Sequence, residues 1–283
     1  MKIKFIFIVL TGVMLILSCT SLEHSIMWPG AATDHPVQDS RIQRHWLNTE
    51  QDSVEVWFIP AVNDPQCPKP AVICAHGNGE CLDWVYASLL PYTEMGIHLV
   101  LCEYRGYGRS GGTPSQANIT QDFIRCYDWV RRKAEVDSTR IFVQGTSIGS
   151  GIACALAGER ETTAIVLIAP LQSTYQLAKD KFPLLAPFFK LFGGFQSPFR
   201  NDLFLMKYGR PVLIIHGNQD EVIPFRHGQH LHQLCAQSTF VELDSGHNNI
   251  LTQKETLWES IRSFLGENAL LSTHEQETSD AIR

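Results

Sequence analysis

The feature that most constrains this chain is an apolar run that breaks into a glycine-serine-glycine pentapeptide and then continues in small helix-forming residues. The run starts at residue 140, the pentapeptide spans 145–149 with Ser147 at its centre, and the small residues follow. This order predicts a strand, a strained tight turn that carries the serine, and a helix. Gly145 and Gly149 fit such a turn because it packs backbone against backbone. Ser147 is therefore predicted to be a nucleophile at the carboxyl end of a strand, the alternative being an ordinary Gly/Ser turn.

The bulk composition fits a folded chain of ordinary domain size. It has 283 residues, of which 44% are hydrophobic and 18% charged, so one α/β domain or two small ones can bury a sizeable core. The formal net charge is −6. An acidic chain without a cluster of lysine and arginine argues against nucleic acid as a partner.

The first residues read as a processing segment. Lys2 and Lys4 form a short basic start, residues 5–17 are apolar but short for a membrane span, and Ser18 precedes Cys19. This ending resembles the bacterial lipobox, so we expect residues 1–18 to be a signal peptide and Cys19 to be lipidated. The protein would then be held by its lipid anchor on a membrane of the bacterial cell envelope. A plain secretory signal and an uncleaved anchor remain open.

Strand-like and helix-like patterns alternate along most of the chain. This alternation predicts a mostly parallel eight-stranded sheet with helices on both faces, and an antiparallel edge at its start. The predicted strands are 44–49, 54–61, 71–75, 98–103, 140–145, 164–169, 211–215 and 239–243, and the predicted helices are 83–94, 120–134, the segment after residue 149, 227–235 and 254–265.

The same pattern predicts the domain organisation. Residues 19–36 are expected to be a tether, 37–266 the α/β domain, and 267–283 a flexible polar tail. The interval of about 170–209 departs from the alternation and is rich in phenylalanine and proline. It is too long for a plain connection, so it is predicted to be a small cap over the site.

A serine hydroxyl needs a base, and the base needs an orienting acid. Asp220 follows the predicted strand at 211–215, and His247 follows the one at 239–243. The chain order Ser147, Asp220, His247 is that of the α/β-hydrolase arrangement, so His247 is predicted to be the base and Asp220 the acid that orients it. Asp244 is the weaker alternative, because it shares a loop with His247.

A reaction at a carbonyl also needs donors for the oxyanion. The residue after the nucleophile supplies one, here the backbone N–H of Ile148. The loop after the strand at 71–75, which is rich in glycine, supplies the other, and the N–H of Asn78 is favoured. We expect His76 and His216 to brace loops rather than to act as a second base.

Neither a metal nor a cofactor is predicted. His227, His230 and His232 are close in sequence, but no nearby carboxylate or cysteine completes a ligand set, which favours a solvated helix face. A pairing of Cys67 with Cys81 in an oxidising compartment is left open.

The ordered motifs together resemble the α/β-hydrolase superfamily, and in particular its branch of membrane-associated serine hydrolases, which includes depalmitoylases and serine aminopeptidase-like relatives. The resemblance covers about residues 40–265. This chain has Glu103 where the branch more often has aspartate, and Gly79 where alanine is frequent. The segments that carry the resemblance are His76-Gly77-Asn78, Tyr104-Arg105-Gly106-Tyr107-Gly108 with Ser110, Gly145-Thr146-Ser147-Ile148-Gly149, His216-Gly217 with Asp220-Glu221-Val222-Ile223-Pro224, and Gly246-His247.

The resemblance implies a serine hydrolase that cleaves a carboxylic ester or thioester, in a small molecule or a lipid, through an acyl-enzyme on Ser147. Lipid-chain thioesterase or lipase-like activity, aminopeptidase activity, and a non-catalytic binding module in the hydrolase fold are the alternatives.

Overall fold

The computed structural model describes residues 27–34, 36–49, 52–62, 68–184 and 199–268. The predictions for the signal peptide, for lipidation of Cys19 and for nearly all of the tail at 267–283 lie outside these residues. In the described part of the chain, none of the helices is long and apolar enough to cross a membrane.

The described residues form one sheet of eight strands in the order β1-β2-β4-β3-β5-β6-β7-β8. Strands β1 and β2 form an antiparallel edge, β2 pairs antiparallel with β4, and the six strands from β4 to β8 run parallel. This confirms the predicted fold class. The strands are β1 Gln43–Asn48, β2 Ser53–Ile59, β3 Lys69–Ala75, β4 His98–Cys102, β5 Val136–Thr146, β6 Ile165–Ile168, β7 Val212–Gly217 and β8 Ser238–Leu243.

Helices cover both faces of the sheet because successive strand residues point to opposite sides. In β3, Val72 and Cys74 join the core cluster on one face, while Ile73 joins the cluster on the other. The helices are α1 Leu82–Leu89, α2 Pro91–Glu94, α3 Gln116–Val130, α4 Gly149–Glu159, α5 Thr174–Lys181, α6 Asn201–Leu205, α7 Arg226–Leu234 and α8 Lys254–Glu267, with a 3-10 turn at Ile250–Gln253 before α8.

Two helix predictions differ from the structure for local reasons. The helix expected at 83–94 is divided, since Pro91 has no backbone N–H to continue the ladder and instead occupies the first turn of α2. Helix α3 begins four residues before the expected start at 120. Ser115 caps it, with the Ser115 hydroxyl accepting from the Asn118 backbone N–H at 3.1 Å.

The end of the predicted tether lies against the domain. Trp28 O accepts from Gly79 N at 2.9 Å, and Gly30 O accepts from Gly108 N at 2.8 Å. A Cβ on Gly30 would lie 2.2 Å from Glu80 O, so glycine permits this close contact. Residues 27–31 therefore cross the loop that follows β3.

Only the ends of the predicted cap are described. They are 170–184, which carries α5, and 199–209, which carries α6, and they meet in a bridge between Ser173 and Arg200. The most phenylalanine-rich part of the interval, and any cap it forms, lies outside the described residues.

Candidate active site

The turn between β5 and α4 holds Ser147 in a strained conformation. Its φ is 55°, in the left-handed region that is costly for a residue with a side chain, by about 1–3 kcal/mol. Ser147 N donates to Ile168 O at 2.9 Å, and Ser150 Oγ donates to Ser147 O at 2.6 Å. A Cβ on Gly145 would lie 2.3 Å from Gly149 O, so glycine is required for the turn to close.

Ser147, His247 and Asp220 meet at the carboxyl edge of the sheet, because the parallel strands that precede them end there. His247 Nε2 lies 3.0 Å from Ser147 Oγ, and His247 Nδ1 lies 2.6 Å from Asp220 Oδ2. The hydrogen-bond network assigns the proton of the neutral imidazole to Nδ1, which leaves Nε2 to accept from the serine hydroxyl. The arrangement can deprotonate the serine and stabilise the imidazolium that results.

The Asp220 carboxylate is held by backbone as well as by histidine. Asp220 Oδ1 accepts from Val222 N at 2.9 Å and from Ile223 N at 2.7 Å, and His216 Nε2 lies 3.3 Å from Oδ2. Burial on its own would raise the pKa of Asp220, but hydrogen bonds from His216 and His247 outweigh it and hold this pKa well below its ordinary value. Asp220 is therefore a fixed anion next to His247. Asp244, the alternative orienter, instead accepts from the Gln219 side chain at 2.6 Å.

The loop after β3 borders the serine from the other side. A Cβ added at Gly77 would lie 3.8 Å from Ser147 Cβ. The Asn78 side chain fixes this loop, since its Oδ1 accepts from Trp28 N at 2.7 Å and from Tyr107 Oη at 2.8 Å. Sequence reasoning missed both contacts, although Tyr107 lies in a motif that it singled out.

His76 lies beneath the same loop, where it braces the backbone. Its Nδ1 lies 2.8 Å from Gly77 O and its Nε2 lies 2.8 Å from Glu103 Oε1, and both side chains are buried. Burial alone would lower the pKa of His76, but the charge of Glu103 and the hydrogen bonds to both ring nitrogens raise it. The other Glu103 oxygen accepts from Leu82 N at 3.0 Å, so one carboxylate fixes the loop and the start of α1.

A cavity of about 280 Å³ opens beside Ser147. Its walls are mostly apolar, with a few polar groups close to the serine, as is usual for a site that binds a small organic molecule. Glu80 and Gln144 are among the polar lining residues, and sequence reasoning did not single them out as site residues. The lining residues on which the argument depends are Gly77, Asn78, Glu80, Ser147, His247 and Trp258.

The histidines of α7 differ in part from their prediction. Within the described residues, no group of histidine, cysteine, aspartate and glutamate could hold a metal ion. His227, however, is buried rather than solvated, and the prediction of a solvated face was wrong for it. Its Nδ1 accepts from Gln172 N at 3.0 Å and its Nε2 donates to Asp180 Oδ2 at 2.7 Å, which joins α7 to α5. Cys81 is a free buried thiol, while Cys67 lies outside the described residues.

Known proteins are similar to the chain in sequence and fold. A family model for the alpha/beta hydrolase fold matches residues 70–209. The alpha/beta hydrolase domain-containing protein 17C of Mus musculus is 30% identical over 251 residues, 84% of this chain and 75% of that protein. The lysophosphatidylserine lipase ABHD12 of Rattus norvegicus is 30% identical over 212 residues, 68% of this chain, which spans about half of that protein's length (51%). An esterase of Pyrococcus furiosus shares the fold, with a TM-score of 0.67 at 19% identity over 85% of this chain and 97% of its own.

A mostly parallel sheet whose carboxyl edge carries a serine, a histidine and an aspartate within hydrogen-bond distance defines a protein of the hydrolase class. The chain belongs to the alpha/beta hydrolase family.

Proposed function

We propose that this hydrolase cleaves a carboxylic ester or thioester through an acyl-enzyme on Ser147. The observation that carries the proposal is the pair of hydrogen bonds of His247, at 3.0 Å to Ser147 Oγ and 2.6 Å to Asp220 Oδ2. The positive φ of Ser147 supports it, because strain of this kind is characteristic of a nucleophile elbow.

In the proposed reaction, Ser147 Oγ attacks the substrate carbonyl carbon while His247 Nε2 takes the hydroxyl proton. Asp220 keeps the imidazole oriented and stabilises its positive charge. The backbone N–H groups of Ile148 and Asn78 are proposed to bind the oxyanion of the tetrahedral intermediate. The bond to the leaving group then breaks, and His247 donates the proton to the departing alcohol or thiol. Water attacks the acyl-enzyme by the same route, which releases the acid and restores Ser147.

A lipid acyl ester is the second candidate substrate. The relationship to a lysophosphatidylserine lipase favours it, as does the apolar wall of the cavity, which includes Val85, Leu89 and Leu257. A profile of kcat/KM against acyl chain length separates the two candidates. A small-ester hydrolase is fastest with short chains, while a lipid hydrolase gains activity as the chain lengthens.

The experiment that tests the proposal is hydrolysis of p-nitrophenyl butyrate by the wild-type enzyme and by Ser147→Ala. We expect the variant to lose about 10³-fold or more of kcat. Ser263→Ala is the matched control, because Ser263 is an exposed serine on α8 that does not line the cavity. Full activity of Ser147→Ala in the presence of a folded protein would rule out the proposed mechanism.

We also propose that Cys19 anchors the enzyme to a membrane of the bacterial cell envelope. The proposal rests on the sequence, in which a basic start and an apolar stretch end in Ser18-Cys19. Two acyl chains would give stable anchoring. Cys19→Ala is expected to move the enzyme from the membrane to the soluble fraction, and retention of the variant on membranes would contradict the lipid anchor.

A further inference from the structure

Glu80 places a carboxylate in the cavity beside Ser147. It lies at the end of the loop that follows β3, is half-buried, and lines the cavity together with Ser147 and His247. A Cβ added at Gly77 would lie 2.8 Å from Glu80 Oε2 and 3.8 Å from Ser147 Cβ. The side chains of Glu80 and Ser147 therefore both lie next to Gly77, close to each other. A substrate bound at Ser147 is then near the charge of Glu80.

The carboxylate is fixed by one hydrogen bond. Glu80 Oε2 accepts from Gly77 N at 2.6 Å. In the part of the chain that the structure describes, Oε1 has neither a hydrogen-bond donor nor an ion-pair partner. One oxygen thus positions the side chain on the loop, and the other is available to a ligand.

The remaining lining residues offer this charge no compensation. No lysine or arginine is among the described residues that line the cavity, and Glu80 is their single carboxylate. His76 also lines the cavity, but its ring nitrogens face Gly77 O and Glu103, whose carboxylate balances the charge of the imidazolium. Trp258 borders the same space, and indole rings attract cations. A partly enclosed site with one fixed anion, an aromatic ring and, among its described lining residues, no unpaired cationic side chain favours a positively charged ligand and disfavours an anionic one.

We propose that Glu80 is a specificity-determining residue that makes the enzyme prefer acyl esters carrying an ammonium group over neutral esters of the same shape. The inference deepens the proposed function and rests on it. Glu80 takes no part in the chemistry, since it binds the charged part of the substrate while Ser147 and His247 act on the carbonyl group.

The test uses pairs of esters that differ only in charge. Butyrylcholine is paired with 3,3-dimethylbutyl butyrate, which places the charge on the alcohol side. The p-nitrophenyl ester of 4-(trimethylammonio)butyrate is paired with that of 5,5-dimethylhexanoate, which places it on the acyl side. For each pair the measured quantity is the ratio of kcat/KM for the cationic ester to kcat/KM for the neutral one.

Glu80→Gln removes the charge but keeps an oxygen that can accept from Gly77 N. We expect the ratio to exceed one in the wild-type enzyme for at least one pair, and to fall by about threefold or more in Glu80→Gln, in line with a partly exposed ion pair. Glu259→Gln is the matched control, since it makes the same change in net charge at an exposed site on the helix that carries Trp258. Its ratio is expected to equal the wild-type ratio.

Inhibition gives a second readout that does not depend on turnover. Choline is expected to inhibit the wild-type enzyme more strongly than 3,3-dimethyl-1-butanol, and Glu80→Gln to remove the difference. A smaller than threefold change in both ester pairs, with no difference between the two inhibitors, would overturn the inference. If the neutral esters are still hydrolysed in a Ser147-dependent way, that result leaves the proposed function intact, whereas activity that survives Ser147→Ala overturns the proposed function.

Discussion

His76 Nε2 lies 2.8 Å from Glu103 Oε1 in the buried layer beneath the loop that borders Ser147. Since Gly77 O faces the other ring nitrogen at 2.8 Å, both nitrogens of His76 meet acceptors. An imidazole in such a position donates from both nitrogens, which requires the charged form. The loop beside the nucleophile therefore rests on a buried ion pair between a histidine and a glutamate.

This pair predicts an alkaline loss of stability. The pKa of His76 is raised in the folded protein. The stability that protonated His76 contributes is therefore fully present below the ordinary histidine pKa, and it is lost as the pH rises through the raised pKa of the folded protein. Glu103→Gln removes the charge that favours the imidazolium. We expect it to lower the free energy of unfolding at pH 7 by about 1–3 kcal/mol and to flatten the alkaline decline.

Urea denaturation between pH 6 and 10 measures both effects. Glu161→Gln is the control, because Glu161 is 79% exposed in its ion pair with Arg210 and such pairs contribute little. An unchanged alkaline decline in Glu103→Gln would show that His76 is not the titrating group.

The second prediction concerns the acid that orients the base. Asp220→Asn keeps the shape of the side chain but removes the anion that fixes the His247 tautomer. We expect kcat for p-nitrophenyl butyrate to fall by about 10³- to 10⁴-fold with a small change in KM. Asp244→Asn, in the same loop as His247, is expected to keep most of its activity. A larger loss in Asp244→Asn than in Asp220→Asn would reverse the two assignments.

The third prediction concerns the hydroxyl that holds Asn78. Tyr107→Phe removes the 2.8 Å hydrogen bond to Asn78 Oδ1 and leaves the ring in place. If this bond positions the Asn78 backbone for the oxyanion, we expect kcat to fall by about tenfold while KM changes little. This decrease in kcat is smaller than the one expected when an oxyanion donor is removed outright, because the Asn78 N–H itself is still present. Tyr127→Phe is the control, as its hydroxyl donates to Glu161 O away from the site. Equal kcat values for the two variants would remove Tyr107 from the mechanism.

The fourth prediction concerns acid stability at the junction of α5 and α7. Burial lowers the pKa of His227 and outweighs the hydrogen bond and charge of Asp180, which raise it. Its Nδ1 accepts from Gln172 N and its Nε2 donates to Asp180, an arrangement that needs the neutral ring. Arg226 and His216 also oppose its protonation. The stability that neutral His227 contributes is fully present above pH 6.5, the ordinary histidine pKa. It is lost as the pH falls below 6.5 toward the lower pKa that His227 has in the folded protein.

His227→Gln, which has no titrating ring, is expected to lower the free energy of unfolding at pH 7.5 by about 1 kcal/mol and to lose less stability between pH 7 and 5 than the wild-type protein. His230→Gln serves as the control, since His230 is less buried on the same helix. Parallel pH curves for the wild-type protein and His227→Gln would contradict the prediction.

The sequence predicted the sheet and the meeting of Ser147, Asp220 and His247 because both depend on short-range patterns. Apolar runs of strand length identify parallel strands, and the carboxyl ends of such strands share one edge. A Cβ added at Gly145 would lie 2.3 Å from Gly149 O, which explains why the pattern of glycines in the pentapeptide predicts the turn so specifically. The ends of helices were less predictable from hydrophobic periodicity. Ser115 sets the start of α3 by capping it, and Pro91 divides the helix expected at 83–94 because it lacks a backbone N–H.

Contacts between distant segments were not predictable in the same way. The bond from Trp28 N to the Asn78 side chain spans fifty residues, and nothing in the composition of residues 27–31 distinguishes a packed segment from a tether. The burial of His227 has the same cause, since its partner Asp180 lies 47 residues earlier in the chain, in α5. Glu80 follows the His76-Gly77-Asn78 motif by two residues, but its place in the cavity follows only from the path of the loop.

The central claim, that Ser147 is the nucleophile, is tested most directly by covalent labelling with a fluorophosphonate. Such a reagent phosphonylates a serine that an adjacent base activates. We expect one adduct per chain on the wild-type enzyme, located by mass spectrometry on Ser147, with loss of esterase activity in proportion to labelling, and no adduct on Ser147→Ala or on His247→Ala. An active enzyme that fails to label, or that carries the adduct on another residue while Ser147 stays unmodified, would contradict the account.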